Sequence, residues 1–397
     1  MSRSDSPVQV RPRSGATGVA SRATSRARLR GPSRVLVVDD SAFMRRLVSD
    51  VVSSSGEFTV VGTARDGEDA LHQVAALDPD IVTLDVDMPS VDGLDALRRI
   101  MRTSPRPVVM LSGGGVDGGA AATIRALELG AVDFVRKPSG AISLDLDEVR
   151  DRLLDALRAA ACTNRETLIA QRRDLMPDRR PQRSGGIDTN STDAFSIARH
   201  ATGVVCIAAS TGGPAALARV IPRLPRFEQC AVLIVQHMPA GFTVSFATRL
   251  HGLSRLSVHE ARDGEALLAG HAYVAPGGRH MRLAGMLGSP VLRLDDGPTE
   301  WGVRPAADPL FLSASALFGR AVLGVVLTGM GRDGAAGLQA IRQAGGLGVV
   351  QDRDSAVIAG MPEAALRLAG ADYVESLESI ADVIGELVAR LPVRAAP

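Results

Sequence analysis

Short apolar runs alternate with longer helix-like stretches through most of the chain. Those of the first half are Val35 to Val38, Thr59 to Gly62, Ile81 to Leu84, Val108 to Leu111 and Val132 to Val135. Because the runs are continuous and rich in β-branched residues, they are typical of strands covered on both faces. They predict an α/β domain built on a doubly wound parallel sheet, whose ligand site lies beyond the carboxyl ends of the strands.

The same alternation returns in the second half, where Val204 to Ala208, Val232 to Val235 and Ala321 to Leu327 are apolar. These runs predict a second α/β unit. Between the two units, residues 179–186 and 190–193 are turn formers and charged residues without periodicity, which indicates a linker. The predicted fold class is therefore α/β, with two doubly wound parallel-sheet domains over residues 34–158 and 201–392 and a linker over residues 159–200.

Composition separates the amino-terminal residues from both domains. The length of 397 residues favours two or three domains, but residues 1–30 hold seven Arg and six Ser with only five apolar side chains larger than alanine. This composition predicts a disordered tail over residues 1–33, and a solvated appendage is favoured over a nucleic-acid-binding arm. The tail has no apolar stripe, which argues against a transit peptide.

The balance of charges, the aromatic content and the cysteine spacing argue against several classes of function. Lys and Arg number 45 against 44 Asp and Glu, and aromatic residues make up only 3%, so no nucleic acid is expected as a partner. No apolar run approaches the roughly 18 residues that span a bilayer, so no membrane insertion is expected. The three cysteines lack CxxC spacing, which favours a reducing compartment, and the predicted location is the cytoplasm.

Five polar side chains stand where strands of the first domain are predicted to end: Asp39, Asp40, Asp85, Ser112 and Lys137. In a doubly wound sheet they converge on one crevice. Three carboxylates repel one another unless a hard cation joins them, and an all-oxygen ligand set suits Mg²⁺. A bound dication neutralises an incoming phosphoryl group. Asp85 is therefore the predicted nucleophile toward phosphorus, with Ser112 and Lys137 holding the product oxygens.

A structural interpretation of the same residues stays open. Asp40 or Ser41 would only cap the helix that begins near Ala42, and Lys137 would be an ordinary surface side chain. Lys137 is, however, the single lysine among 45 basic residues, and a compact ammonium is not interchangeable with a planar guanidinium. This exception indicates a geometric demand and favours the functional interpretation.

The run Leu84-Asp85-Val86-Asp87-Met88-Pro89, followed by Asp92-Gly93 and later by Lys137-Pro138, resembles the pattern of response-regulator receiver domains. The resemblance implies a flavodoxin-like domain with Asp85 as the phosphoacceptor and a histidine autokinase as the phosphodonor. It also implies that Asp39 and Asp40 help to bind Mg²⁺, that the Asp87 backbone adds a ligand, and that Ser112 is the switch hydroxyl. Phe134 is the implied aromatic switch position, and the sequence alone is equally consistent with a core residue there.

The second domain contains a small, glycine-rich turn between a predicted strand and a helix, Ala209-Ser210-Thr211-Gly212-Gly213-Pro214. Such a turn projects a serine hydroxyl past the sheet edge and lets backbone N–H groups approach a substrate. His237 follows the next predicted strand, and Asp333 lies in a glycine-rich turn after another. Ser210, His237 and Asp333 are the predicted nucleophile, base and orienting carboxylate of a triad.

In the predicted reaction His237 takes the Ser210 proton and Ser210 attacks an acyl carbon, before water completes hydrolysis. Backbone N–H groups near Met330 and His237 stabilise the oxyanion. The predicted oxyanion and substrate loop comprises Thr211, Gly212, Gly213 and Met330. The chain order of the triad differs from that of three well-known hydrolase classes, which implies a distinct scaffold. A phosphate-binding loop is the rival interpretation, but this turn matches neither the GxGxxG nor the GxxxxGKS/T pattern.

Five sequence motifs extend this picture: Ala209-Ser210-Thr211-Gly212-Gly213, Gln236-His237-Met238-Pro239-Ala240-Gly241-Phe242, Tyr273-Val274-Ala275-Pro276-Gly277-Gly278-Arg279-His280-Met281, Leu327-Thr328-Gly329-Met330-Gly331 and Gly360-Met361-Pro362. Together they resemble the Rossmann-like catalytic domain of chemotaxis protein-glutamate methylesterases. The resemblance implies a hydrolase of chemotactic adaptation that demethylates glutamyl methyl esters and deamidates glutamines on chemoreceptors. The resemblance also implies that the receiver domain covers the active-site cleft of the catalytic domain until the receiver is phosphorylated. Mg²⁺ serves the phosphorylation, and ester hydrolysis needs no cofactor.

Two departures from the family pattern leave the substrate open. The segment Trp301 to Asp308 lacks the Asn/His-containing run expected before its proline, and Val244 replaces a residue that is often basic. Both are expected near the substrate cleft, and Trp301 is equally consistent with a core anchor. One alternative function is a docking module whose Ser210 loop binds rather than cleaves. The other is a serine hydrolase that acts on a different methylated or acylated protein.

Overall fold

The computed structural model describes residues 31–113, 119–137, 146–163, 166–168 and 199–392. Residues 1–30 of the predicted tail and most of the predicted linker lie outside these ranges. The described chain forms two parallel sheets with their helices, one before and one after the predicted linker, and one antiparallel hairpin. The predicted α/β class with two doubly wound parallel sheets is confirmed.

The first domain has a five-stranded parallel sheet in the order β2-β1-β3-β4-β5. Its strands are β1 (Ser33–Val38), β2 (Phe58–Ala64), β3 (Ile81–Asp85), β4 (Val108–Ser112) and β5 (Asp133–Arg136). Its helices are α1 (Ala42–Ser54), α2 (Gly67–Leu77), α3 (Gly93–Thr103), α4 (Gly119–Glu128) and α5 (Leu146–Ala161). Four of the five predicted apolar runs lie wholly inside strands, and the fifth strand begins one residue later than predicted.

Three helices of this domain begin at side chains that accept hydrogen bonds from the first turn. Ser41 caps α1, Asp66 caps α2 and Asp92 caps α3, which satisfies N–H groups that have no partner within a helix. Strand β1 starts at Ser33, inside the stretch predicted as tail, and α5 continues to Ala161, inside the stretch predicted as linker. Both differences reflect pairing and packing that composition does not report.

The second domain has a seven-stranded parallel sheet in the order β14-β13-β12-β6-β7-β9-β8. Its strands are β6 (Gly203–Ala209), β7 (Cys230–Gln236), β8 (Ser257–Glu260), β9 (His271–Val274), β12 (Val322–Val326), β13 (Leu347–Gln351) and β14 (Tyr373–Glu375). Its helices are α6 (Gly213–Val220), α7 (Phe242–Leu253), α8 (Ala307–Phe318), α9 (Ala335–Gln343), α10 (Gly360–Leu368) and α11 (Leu377–Val388). Short 3₁₀ turns span Ile221–Arg223 and Gly319–Ala321.

An antiparallel hairpin, β10 (His280–Met286) and β11 (Ser289–Asp295), interrupts the parallel pattern between β9 and α8. No continuous apolar run in the sequence predicts this hairpin. Every residue of β6, β7 and β12 is buried, as expected for strands covered by helices on both faces. Strand β6 lies between β12 and β7, so the loops that follow these three strands meet at one edge of the sheet.

The two domains are in contact. The Phe134 ring at β5 packs against the Phe242 ring at the start of α7, with centroids 4.5 Å apart. Arg249 on α7 donates from Nε to Glu128 on α4 at 2.8 Å. No helix in the described ranges is both long and apolar enough to cross a bilayer.

Candidate functional site

The acidic crevice of the first domain assembles as predicted at the carboxyl ends of β1 and β3. Asp39 and Asp85 are buried, Asp40 is exposed, and one carboxylate oxygen from each lies within 4.8 Å of the others. The Lys137 ammonium, beyond β5, is 2.7 Å from Asp39 Oδ2 and 2.7 Å from Asp85 Oδ2. Apart from this ammonium, neither oxygen has a hydrogen-bond partner among the described residues. Four of the predicted residues therefore share one site.

The other predicted residues of this domain lie around the crevice. Ser112 ends β4, and its buried hydroxyl has no hydrogen-bond partner within the described part of the chain. The Asp87 backbone N–H donates to Asp85 Oδ1 at 3.3 Å, but the Asp87 carboxylate is not part of the three-carboxylate group. Phe134 is buried against the second domain rather than in the core of its own domain alone.

The sequence alone allows either Asp40 or Ser41 to cap α1, and the structure shows which of them does so. Ser41 accepts the hydrogen bond from Met44 N that caps α1, which leaves the Asp40 carboxylate in the crevice. Gly93 follows the Asp92 cap, and a Cβ at this position would lie only 2.0 Å from the Asp85 backbone oxygen. The Asp-Gly pair therefore lets α3 begin directly against the Asp85 backbone.

Burial sets the charge state of the crevice. It raises the pKa of Asp85 to about 6, and the Lys137 ammonium opposes this shift. Burial also works against the charged form of Lys137, but the carboxylates of Asp39 and Asp85 outweigh it and raise the pKa of the ammonium. Near neutral pH the buried Asp85 carboxylate is thus ionised and lies beside the Lys137 cation.

The edge where β12, β6 and β7 end brings His237 and Asp333 into contact. His237 Nε2 lies 2.7 Å from Asp333 Oδ2. Asp333 is buried and accepts backbone N–H groups from Ala307 at 2.6 Å and Asp308 at 3.0 Å. Burial alone would raise the pKa of Asp333, but the hydrogen bond and charge of His237 and these backbone donors hold it below its usual value. An ionised carboxylate therefore orients the imidazole.

Ser210 faces the same space as this pair. A cleft of about 520 Å³ is lined by Ser210, His237 and Asp333 together with Thr211, Gly212 and Met330. No hydrogen bond joins the Ser210 hydroxyl to His237 within the described residues, a contact that often forms only with substrate present. A Cβ on Gly329 would lie 2.7 Å from Ser210 Cβ, so this glycine permits the serine to lie against the loop after β12.

Two details of the predicted oxyanion loop need correction. The His237 backbone N–H donates to Ala209 O at 3.1 Å, so it is not free to bind an oxyanion. Gly213 does not line the cleft, because its N–H donates to Ser210 O and a Cβ there would lie 2.1 Å from Gln236 Oε1. The N–H groups of Thr211 and Met330, both at the cleft, have no partner among the described residues.

Two residues that support the triad, Gln236 and Asp308, were not predicted from the sequence. Gln236 donates from Nε2 to the backbone oxygens of Ser210 at 3.0 Å and His237 at 3.1 Å, which joins the two loops. Asp308 is buried, and its N–H contacts the Asp333 carboxylate. Gln236 stands beside His237 in one of the family-like motifs, and Asp308 ends the segment from Trp301 that departs from the family pattern. Their positions next to these residues were the signal in the sequence that could have identified them.

The same cleft continues onto the first domain, where its lining includes Phe134, Arg152 and Asp155. Of the two departures, Trp301 lines the cleft and is about 50% exposed, so it is not a core anchor. Val244 is exposed and is not part of the lining. The serine, the imidazole and the carboxylate thus share a space that both domains border.

Each half of the chain matches a known protein family. The CheB methylesterase family model matches residues 205–384, and the response regulator receiver domain model matches residues 35–146. A protein-glutamate methylesterase/protein-glutamine glutaminase of Pyrococcus horikoshii is 44% identical over 355 residues, which cover 89% of this chain and 93% of that protein. A protein of the same description from Symbiobacterium thermophilum is 47% identical over 363 residues, covering 91% and 98%.

Two solved structures from Thermotoga maritima match one domain each. The CheB methylesterase catalytic domain is 38% identical, covers 47% of this chain and 100% of its own, and gives a TM-score of 0.46. The response regulator domain of CheB is 44% identical, covers 34% of this chain and 98% of its own, and gives a TM-score of 0.31.

Proposed function

This chain belongs to the CheB methylesterase family, in the form that carries a response regulator receiver domain, and we propose that it is a phosphorylation-activated hydrolase of chemoreceptors. It removes methyl esters from glutamyl side chains and deamidates glutamines, as the names of its relatives describe. Its place of action is the cytoplasm, where the receptors present these side chains and a histidine autokinase supplies the phosphoryl group.

The observation that carries the proposal is the contact between His237 Nε2 and the buried Asp333 carboxylate, 2.7 Å apart in a cleft that Ser210 also lines. Because Nε2 is engaged with Asp333, Nδ1 is the ring nitrogen that accepts the Ser210 proton. Asp333 remains ionised and stabilises the imidazolium that forms. This assignment gives each of the three residues a distinct role.

The reaction proceeds in two halves. Ser210 Oγ attacks the ester carbonyl carbon, its proton moves to His237, and the N–H groups of Thr211 and Met330 stabilise the oxyanion. The bond between the acyl carbon and the methoxy oxygen then breaks, and methanol leaves with the proton from His237. Water, deprotonated by His237, attacks the acyl carbon, and the bond from that carbon to Ser210 Oγ breaks. Ser210 Oγ takes the proton back from His237, and the receptor side chain is left as a glutamate. With glutamine as substrate, ammonia leaves in place of methanol.

In this proposal, phosphorylation of the receiver domain controls hydrolysis by the catalytic domain. Asp85 accepts the phosphoryl group, and Ser112 and Lys137 bind its oxygens. The clustered oxygens of Asp39, Asp40 and Asp85, two of them buried without other hydrogen bonds among the described residues, suit a hard divalent cation. These three residues would hold Mg²⁺, with the Asp87 backbone as a further ligand. When bound, Mg²⁺ neutralises charge on the incoming phosphoryl group.

The test is methanol release from glutamyl-methylated receptor membranes, with and without a small phosphodonor and Mg²⁺. We expect release that the phosphodonor stimulates, that Ser210→Ala abolishes, and that Asp85→Asn leaves unstimulated. Circular dichroism of both variants checks that they fold. If folded wild-type protein releases no methanol from cognate membranes, the proposal is wrong. If Ser210→Ala still binds membranes while wild type never cleaves them, the docking function is correct instead.

A further inference from the structure

Trp301 and Arg332 form one wall of the cleft, and the reaction described above uses neither. Trp301 lies in the segment before α8, and Arg332 lies in the loop after β12. The guanidinium carbon of Arg332 is 3.9 Å from the centre of the Trp301 ring. Both side chains line the same cleft as Ser210 and His237. Two loops that are distant in sequence thus place an aromatic surface and a cation beside the reacting groups.

A buried carboxylate holds the Trp301 ring in place. Trp301 Nε1 donates to Asp308 Oδ2 at 2.9 Å. Asp308 is only 3% exposed, and its Oδ1 accepts the Gly337 N–H at 2.7 Å. The Trp301 backbone has a φ of 55°, a region that residues other than glycine rarely adopt. Since the ring is half exposed yet fixed by a buried acid, its position is set for something outside the core.

Arg332 brings a positive charge to this wall of the cleft. It forms no ion pair with any residue of the described ranges, whereas Arg249, Arg279 and Arg282 all contact carboxylates. The Asp155 carboxylate, which lines the same cleft, contacts Arg158 instead. Stacking on an aromatic ring covers one face of a guanidinium and leaves the N–H donors at its edge available. A carboxylate is the planar partner that matches those donors.

We propose that Arg332, positioned by Trp301, determines substrate specificity by binding a carboxylate of the polypeptide substrate close to the esterified side chain. This inference rests on the proposed function. A glutamyl methyl ester is itself neutral, so the cation selects a neighbouring Asp or Glu rather than the scissile group. On a helix, side chains three or four residues apart are about 5–6 Å from each other. The preferred substrate therefore has an Asp or Glu close to the ester, and on a helical substrate this residue lies one turn away.

The test compares two receptor membranes that carry one methylated glutamate. In the first, glutamate stands one helical turn away; in the second, alanine replaces that glutamate, since glutamine would itself be a substrate. The full-length protein is assayed with Mg²⁺ and a small phosphodonor, and kcat and KM are determined separately. Arg332→Gln and Trp301→Phe are the test variants. Arg367→Gln is the control, because it removes an equally positive side chain that is 71% exposed on α10, outside the cleft.

Wild type is expected to prefer the glutamate membrane by about 1.5-fold to fivefold in kcat/KM, as for a partly exposed charged pair. Arg332→Gln should lose this preference through KM, Trp301→Phe should reduce it, and Arg367→Gln should retain it. Rising salt should weaken it.

Three results overturn the inference while leaving the proposed function intact. The first is a wild type that cleaves both membranes equally well, and the second is an Arg332→Gln variant that keeps the preference. The third is an Arg332→Gln variant that only gains activity without phosphodonor, which would assign Arg332 to the contact with the receiver. Failure of wild type to release methanol from either membrane would instead refute the proposed function.

Discussion

The rings of Phe134 and Phe242 pack against each other at a centroid distance of 4.5 Å, across the contact between the receiver and the catalytic domain. Phe134 lies on β5 of the receiver, the strand that precedes Lys137. Phe242 begins α7 of the catalytic domain, five residues after His237. Each ring is therefore close in sequence to the proposed reacting residues of its own domain, so the pair links the elements that carry the proposed phosphorylation site and the cleft.

Replacing Phe134 by leucine should raise the activity of the unphosphorylated protein. An aromatic pair contributes about 0.5–1.5 kcal/mol beyond its buried area, which corresponds to a rise of about twofold to tenfold in basal methanol release. Stimulation by phosphodonor should shrink by the same factor, because the contact is already weakened. Unchanged basal activity in a folded Phe134→Leu protein would show that this contact does not hold the cleft closed.

The ion pair between Glu128 and Arg249 should contribute to the same contact. Arg249 reaches both carboxylate oxygens of Glu128, at 2.8 and 3.2 Å. Glu128→Arg and Arg249→Glu should each raise basal hydrolysis by a few-fold at low salt, consistent with the ~0.2–1 kcal/mol typical of exposed pairs. The double exchange should restore the wild-type rate. Failure of the double exchange to restore it would contradict a pairwise role for these charges.

Asp333→Asn should lower kcat by a factor on the order of 10⁴, the loss typical of a triad whose carboxylate no longer orients the imidazole. The fold should survive with some loss of stability, because an asparagine Oδ1 can still accept the N–H groups of Asp308 and Gly334, whereas its amide nitrogen cannot accept the Ala307 N–H. Single-turnover hydrolysis and circular dichroism measure the two effects. Retention of more than a tenth of the wild-type rate would remove Asp333 from the mechanism.

The same substitution should have a pH-dependent effect on stability. Because the pKa of Asp333 in the folded protein lies below the ordinary value of 3.8, its ionised form stabilises the fold above about pH 4. That stabilisation is lost as the pH falls through the lowered pKa. The difference in the free energy of unfolding between wild type and Asp333→Asn should therefore be largest near neutral pH and shrink toward pH 3. Urea titrations at both pH values measure it.

Removal of divalent cations should separate the two activities. With EDTA, stimulation by the phosphodonor should disappear, while basal methanol release should remain, because the cleft has no part in cation binding under the proposal. Intact-mass spectrometry should show loss of the phosphorylated species in parallel. Added Mg²⁺ should restore both signals in wild type but not in Asp85→Asn. Loss of basal hydrolysis in EDTA would place a cation in the catalytic cleft instead.

Gly329→Ala should impair catalysis more than folding. The added Cβ would lie 2.7 Å from Ser210 Cβ and 2.3 Å from Met361 Sδ, so the serine must shift, and a misplacement of about 1 Å costs on the order of 10²-fold in rate. Gly252→Ala is the matched control, since nothing lies within 4 Å of its added Cβ and alanine favours the helix. Equal rates in both variants would mean that the serine tolerates the shift.

The position of the reacting groups could be predicted from the sequence because it depends on the ends of buried parallel strands. Asp39, Asp85, Ser210 and His237 each follow or end an apolar run, and parallel strands bring such positions to one edge. The hairpin β10–β11 left no comparable signal, since its partly exposed strands lack a continuous apolar run. Four strands of the second sheet, β8, β9, β13 and β14, were not predicted individually, and of these β8 and β14 are short strands at the edges of the sheet.

By itself the sequence determined the two α/β domains, the acidic crevice, and the serine, histidine and aspartate of the cleft, because local periodicity and strand ends encode them. Only the tertiary structure decided that the His237 backbone N–H donates a hydrogen bond to the Ala209 oxygen, that Phe134 packs on Phe242, and that Arg332 lies over Trp301. These are contacts between segments far apart in the chain. Their geometry depends on how whole elements pack, which no periodicity within one segment records.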